Sequence, residues 1–429
     1  MAVSVVKDGR ILMAKGYGYL DTSKRSPVTN RTLFQISSLT KAFASTLLLK
    51  QMKENTNFSL YSKLTDVIGN DFKFSEDLWT QNADLKDLMS MNLAIPRHDG
   101  LRLTKSVTRE NLLSLMRHFK PIYVFRSTFL YSNLNYGIVT RISEKLAGGE
   151  QWENLIRREI FDPVGMSSST FTTSNTKEIE TTIAKGYVVE NNRLVEVPAE
   201  FRSTYSMICG SNCIMSNTED ISKWMMLQLN KGFNEQGKPV IDSDIVQLTH
   251  RPWTLIKAPK LSSLFSQPVV PVSTTEFSYG LGWKNGNYRD ESTICTFPRP
   301  FHADPMEWIS LKVDKSQEST RPLPQYEGVY SHDAYGKLSV TYNVTSRRLN
   351  IEFGIGKWTL FPTSTPNMFY GLAMGILQGI WNLNNIQFDS TCDKCSINSV
   401  AIGSFEKKAP PIFKRVHVDS FPACPNYRK

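Results

Sequence analysis

LFQISSLTKAF, residues 33–43, sets Ser38 and Lys41 three positions apart at the mouth of an apolar run that continues through Phe43, Leu47, Leu48 and Met52. Those apolar positions recur at helical spacing, so the segment predicts a helix with one buried face that fixes the serine rigidly. A serine in the first turn sits where unpaired backbone N–H groups and the helix dipole favour negative charge. A lysine three residues on projects from the same face and brings an amine beside the hydroxyl. A hydroxyl is a weak nucleophile until a base takes its proton, and a lysine kept neutral by desolvation or a neighbouring cation can be that base.

The Ser-x-x-Lys pattern alone is weak, because about two are expected by chance in such a chain. Three are present. Ser174 to Lys177 lies in a Ser/Thr/Asn-rich stretch, and Ser404 to Lys407 runs into Lys408, Ala409 and two prolines; both read as surface features. What singles out Ser38 is a second motif 93 residues later, in LYSNLNYGIV (residues 130–139). Of the 16 tyrosines only Tyr131 has an asparagine, Asn133, two positions on. Tyr131 is placed to relay a proton and Asn133 to hold an amide or carbonyl. The plainer alternative is a serine cap, a solvated lysine and a tyrosine ending a strand.

At these residues the chain resembles the serine β-lactamase-like and penicillin-binding-protein-like hydrolases: class C β-lactamases, related carboxypeptidases and esterases, and their secreted animal relatives. The resemblance extends over VSVVKDGRILMAKGYGYLD (3–21), LMSMNLAIPRHDGL (88–101), DPVGMSSSTF (162–171), SNTEDISKWMMLQLNKG (216–232) and YGLGW (279–283). It implies that Ser38 is the acylated nucleophile, Lys41 its base, Tyr131 the proton shuttle and Asn133 a substrate-side hydrogen-bond donor. The implied fold is α/β (α+β), an antiparallel β-lactamase/transpeptidase-like sheet flanked by helices, followed by a small all-β domain.

The family's third motif, Lys-Thr-Gly or His-x-Gly on an edge strand, is expected after YGLGW and is not found there. Lys284-Asn285-Gly286 imitates it, yet Asn-Gly is the signature of a tight hairpin turn. His98-Asp99-Gly100 precedes Tyr131 and is out of order, and His302 is followed by Ala303 and Asp304. The 47 residues from Tyr279 to Tyr326 contain Pro298, Pro300, Pro305, Pro322 and Pro324 and read as linker, so the catalytic sheet is expected to lack its closing strands.

Periodicity sets the remaining organisation. Residues 2–20 alternate around Asp8-Gly9 as a hairpin, and the helix from Asn133 repeats Leu134, Ile138, Ile142 and Leu146 before Gly148-Gly149. Ser216 and Glu219 make a capping-box pattern ahead of Trp224. Leu338, Val340 and Tyr342, then Leu349, Ile351 and Phe353, alternate as strands. The expected domains are 1–290, hydrolase-like; 291–325, a Pro-rich linker; 326–418, all-β; and 419–429, a tail. Met368–Leu383, with Gly371, Gly375 and Gly379, is too short for a bilayer and is read as part of the C-terminal domain.

At 429 residues, 40% hydrophobic and 21% charged, the chain is globular in class. Its net charge of +10 is dispersed, without the basic block or zinc-finger spacing of a dedicated nucleic-acid binder. Six cysteines (209, 213, 295, 392, 395 and 424) and sequons at Asn30, Asn57 and Asn343 point to a secretory route, disulfides and glycosylation. Cys392-x-x-Cys395 has no partner pair at metal-ligand spacing, so a disulfide or structural thiols are favoured over metal. Met1 stands almost at the first strand with no signal-peptide pattern before it, so secretion is expected of a longer precursor. The expected function is acyl transfer from a small amide, ester or peptide through Ser38, with no metal or cofactor. The rival is a catalytically impaired, secreted scaffold or extracellular-matrix protein, the role that mollusc shell-matrix relatives suggest.

Overall fold

The computed structural model describes residues 1–23, 25–55, 57–174, 181–190, 193–256, 274–288, 291–295, 316–391 and 395–416. They group into two compact units. The first comprises the described residues of Met1–Arg97, Thr108–Lys185 and Tyr205–Phe301; the second comprises those of His98–Val107, Gly186–Thr204 and His302–Lys429.

The first unit opens with β1 (Ala2–Lys7) and β2 (Arg10–Gly16), joined through Asp8 at φ 50° and Gly9 at φ 70°. Two consecutive positive φ angles are what a type I′ hairpin requires, hence Asp-Gly. β3 (Phe34–Gln35) then leads through a single 3-10 turn, Ser37–Leu39, into α1 (Thr40–Asn55). α1 is a central helix. Phe43, Leu47 and Leu48 are wholly buried, as are Ala44 and Ser45 on other faces, so the helix is enclosed nearly all round at this level. Phe43 stacks on Trp224 at 3.9 Å between ring centroids. α2 (Asn133–Leu146) packs against α1, burying Leu134, Ile138 and Ile142, and stops where Gly148 and Gly149 take φ of 68° and 95°.

β4 (Thr170–Phe171), a one-turn helix α3 (Cys209–Asn212) and β5 (Ile214–Ser216) follow, with β5 lying between β3 and β4 in a small sheet. α4 (Thr218–Leu229) is capped one residue later than the sequence pattern suggested. Asn217 accepts from Asp220 N, while Ser216 belongs to β5, because the strand pairing with Phe34 claims its backbone. After α5 (Ser243–His250) comes a four-stranded antiparallel sheet in the order β6 (Thr254–Leu255), β7 (Thr274–Tyr279), β8 (Lys284–Tyr288), β9 (Glu291–Cys295). Among the described residues the β1–β2 hairpin is a separate sheet, packed on α4.

Two expectations are corrected here. Lys284-Asn285-Gly286 is not a hairpin turn but the body of β8, paired to β7 on one side and β9 on the other. The chain reverses earlier, at Gly280–Trp283, where Gly280 N donates to Trp283 O at 2.7 Å and Gly282 supplies φ 89°. With the reversal made there, Asn285-Gly286 runs extended, and Asn285 Nδ2 donates to His250 O. For the same reason the interval read as linker begins with strand, since β9 occupies 291–295.

The second unit is organised around a closed antiparallel barrel of eight strands: β10 (Gly328–His332), β11 (Gly336–Asn343), β12 (Arg348–Phe353), β13 (Gly356–Pro362), β14 (Met368–Met374), β15 (Leu383–Ser390), β16 (Ile397–Ile402) and β17 (Ile412–Arg415). Pairing of Tyr330 with Arg415 closes it. Leu338, Val340, Leu349, Ile351 and Phe353 point inward and are buried, the alternation a small barrel needs. The Gly-containing Met368–Leu383 stretch supplies β14 of this barrel, and no helix among the described residues is long and apolar enough to cross a membrane. His98–Val107 belongs to this unit too. His98 is buried with Nδ1 2.8 Å from the Tyr335 hydroxyl, so the His-Asp-Gly imitation of the third motif serves barrel packing.

Candidate active site

Ser38 lies in the 3-10 turn that starts α1, half-buried, and the residue before it is strained. Ser37 takes φ 46°, a left-handed conformation that a non-glycine residue adopts at a cost of about 1–3 kcal/mol. Such strain persists only where surrounding structure over-determines it. Here Ile36 N donates to Ile214 O of β5 at 3.0 Å, and the YGLGW turn closes down on the start of α1. A Cβ on Gly282 would lie 2.8 Å from Ala42 N and from Lys41 O, so only glycine permits that approach.

Lys41 follows one helical turn later and is completely buried. Its Nζ lies 3.1 Å from Ser38 Oγ, 3.0 Å from Asn133 Oδ1, and 3.1 Å and 3.0 Å from the carbonyl and hydroxyl oxygens of Ser211. Tyr131 stands just before α2 and donates its hydroxyl to Ser38 Oγ at 2.7 Å. The tertiary fold thus brings Lys41 and Tyr131 onto Ser38 Oγ and Asn133 onto Lys41 Nζ. Asn133, expected as a substrate-side hydrogen-bond donor, turns its amide oxygen to the interior of the site. Its Oδ1 accepts from Lys41 and from the Ser211 hydroxyl at 2.8 Å, which leaves Nδ2 as its donor end.

Electrostatics distinguish Tyr131 from its aromatic neighbours. Tyr136 and Tyr279 are buried, and burial pushes both phenols well above the ordinary range; for Tyr136 a hydrogen bond with Ser45 only partly offsets this. They stay protonated, with Tyr136 donating to Met89 O at 2.9 Å. Tyr131 is half-exposed and packs edge-on against Tyr279, with ring centroids 6.3 Å apart. Two basic groups lie near its ring, Lys41 Nζ at 4.8 Å and the Arg97 guanidinium at 6.0 Å from the centroid.

The profile of the Beta-lactamase family matches residues 1–340. The chain belongs to the Beta-lactamase family. Within this family it is similar to Gigasin-6 of Magallana gigas, with 32% identity over 242 residues, 56% of this chain and 79% of that protein. Unguisins hydrolase of Aspergillus violaceofuscus is 25% identical over 242 residues, and the chain spans only 42% of its length. Among solved structures, the octameric penicillin-binding protein homologue from Pyrococcus abyssi shares the fold, with TM-score 0.52, 20% identity and coverage of 96% of this chain and 95% of the other.

Against that family pattern β9, the edge strand of this sheet among the described residues, reads Glu-Ser-Thr-Ile-Cys and carries neither Lys-Thr-Gly nor His-x-Gly. His302 lies outside the described residues, as does most of the Ser174–Lys177 pattern. Cys209 and Cys213 form a disulfide, in keeping with an oxidising compartment, and Cys395 is also disulfide-bonded. Of the sequon asparagines, Asn57 and Asn343 are exposed, whereas Asn30 is half-buried and its carbonyl accepts from Thr218 Oγ1 at 3.0 Å. Sequence reasoning missed Ser211. It carries no local motif, and it meets Lys41 across 170 positions of chain.

Proposed function

We propose that the chain is a serine hydrolase that takes the acyl group of a small amide, ester or peptide onto Ser38 Oγ and passes it to water. The observation that carries this reading is the convergence of Lys41 Nζ and Tyr131 OH on Ser38 Oγ at 3.1 Å and 2.7 Å. A neutral Lys41 amine takes the hydroxyl proton as Oγ attacks the carbonyl carbon. The negative oxygen that results is stabilised by the positive end of the α1 dipole. Tyr131 hands a proton to the departing nitrogen or oxygen, the carbon–heteroatom bond breaks, and acyl-Ser38 remains. Water then attacks this ester with the same groups acting in reverse. We read the site as one of the class C β-lactamase and penicillin-binding peptidase plan, and the name of the unguisins hydrolase is in keeping with hydrolysis. The Cys209–Cys213 disulfide and the exposed sequons at Asn57 and Asn343 support a secreted, glycosylated product.

One observation favours a second reading. β9 lacks the third motif that lines the oxyanion side of the pocket in the family, and loss of one oxyanion donor costs about a hundredfold to a thousandfold in rate. A weak esterase with little action on β-lactams is expected, and at the limit a secreted scaffold in an extracellular matrix.

Labelling by a fluorophosphonate and by a fluorescent penicillin, located by mass spectrometry and repeated on Ser38→Ala, separates the two. An adduct confined to Ser38 with turnover sinks the scaffold reading. No adduct on natively folded protein after prolonged exposure to both probes sinks the hydrolase reading.

A further inference from the structure

A lysine amine rides on a flexible four-carbon stem, and a general base works only when its lone pair is held toward the proton it takes. Three N–H donors serve an ammonium, whereas a neutral amine has two N–H groups and one lone pair. With the lone pair turned to the Ser38 hydroxyl, the two N–H groups of Lys41 face three acceptors: Asn133 Oδ1, Ser211 O and Ser211 Oγ, at 3.0, 3.1 and 3.0 Å. Two of these three belong to one residue. Ser211 is fully buried, and its own hydroxyl proton goes to Asn133 Oδ1 at 2.8 Å, so its oxygen faces Lys41 with lone pairs. Asn212 Nδ2 donates to the same oxygen and holds that orientation. We propose that Ser211 is a positioning residue that sets the direction of the Lys41 lone pair, an inference that rests on the acyl-transfer reading of Ser38.

The backbone around Ser211 is built for rigidity. α3 is a single turn, closed by the disulfide from Cys209 at its start to Cys213 just past its end. Gly210 N donates to Thr140 Oγ1 of α2 at 2.8 Å. A Cβ on Gly210 would lie 2.6 Å from that oxygen and 2.9 Å from Tyr136 O, so α3 rests directly on α2. Since α2 begins with Asn133, the three acceptors around Lys41 share one frame. When Lys41 takes the Ser38 proton, the acceptors for its new charge are already in place, and no side chain has to reorganise.

The test compares Ser38 acylation by a small activated ester in the wild type, Ser211→Ala and Ser211→Thr, with active sites titrated so that misfolded protein is not counted. Ser211→Ala is expected to lower kcat about 10- to 100-fold with KM within about twofold, and Ser211→Thr, which keeps the hydroxyl, to recover most of the loss. Wild-type kcat in Ser211→Ala overturns the proposal. So does a change confined to KM, which would make Ser211 a substrate contact. A second measurement works whether or not Ser38 turns over: the 1H–15Nζ signal of Lys41, identified by its absence in Lys41→Met. In the wild type its protons should exchange slowly, and in Ser211→Ala the signal should shift and broaden. An unchanged signal overturns the proposal, while a wild type that shows the held amine yet never acylates Ser38 sinks only the hydrolase reading.

Discussion

Replacing Tyr131 by Phe removes one oxygen and little else, so it separates chemistry from packing. The ring keeps its edge-on contact with Tyr279 at 6.3 Å and its contact with Phe129 at 6.4 Å. What disappears is the 2.7 Å hydrogen bond to Ser38 Oγ. A half-exposed neutral hydrogen bond contributes about 0.5–1.5 kcal/mol to stability, so the melting transition should move only slightly. A proton relay in the transition state is worth about 10²–10⁴ in rate, and each tenfold is about 1.36 kcal/mol, so its loss raises the barrier by about 2.7–5.4 kcal/mol. The two effects therefore differ at least about twofold in energy, and acylation should suffer far more than folding. The assay is stopped-flow acylation of Ser38 by an activated ester, beside urea unfolding of the same preparation. Acylation by Tyr131→Phe within about threefold of wild type would refute the assignment of Tyr131 as the shuttle, whatever the fate of Lys41.

Three further outcomes are expected. Burial, with a smaller contribution from His332, holds the His98 imidazole down at about 3, well below the ordinary value near 6.5. The folded state then binds fewer protons than the unfolded one, so stability is fullest above pH 6.5 and is lost as pH falls toward 3. The loss between pH 7.5 and 5 is about 2 kcal/mol, and urea titrations of wild type and His98→Gln should show the variant with the flatter pH dependence. Phe43→Ala should cost the first unit about 3–5 kcal/mol by leaving a cavity against Trp224 and Phe161, read by chemical unfolding followed through tryptophan fluorescence. Expressed through a secretory pathway, the protein should carry glycan at exposed Asn57 and Asn343, and enzymatic deglycosylation should lower its mass; bare asparagines at both positions would count against that route.

Features governed by a residue's immediate neighbours were legible without coordinates. Asp8-Gly9 sets a hairpin because two adjacent residues must take positive φ. Ser38 and Lys41 share a face because three positions along a helix bring them round to it. Leu338, Val340, Leu349 and Ile351 report strands with one buried face because side chains alternate across a strand. In each case the cause acts within a few residues, so composition and spacing carry it.

Other features depend on which surfaces meet, and spacing does not encode that. Asn285-Gly286 has the chemistry of a turn, yet β7 and β9 flank it and hold it extended once Gly280–Trp283 has already reversed the chain. Ser216 has the chemistry of a cap, yet pairing with Phe34 takes it into a strand and passes the cap to Asn217. Ser211 shows nothing locally, and its consequence arises only because α3 is pressed onto α2 beside a buried amine. The sequence by itself determined the helical turn that pairs Ser38 with Lys41 and the alternation that builds the barrel. Only the tertiary structure decided that Tyr131, Asn133 and Ser211 close around them, because those contacts exist only after packing has excluded water and brought distant segments within hydrogen-bond reach.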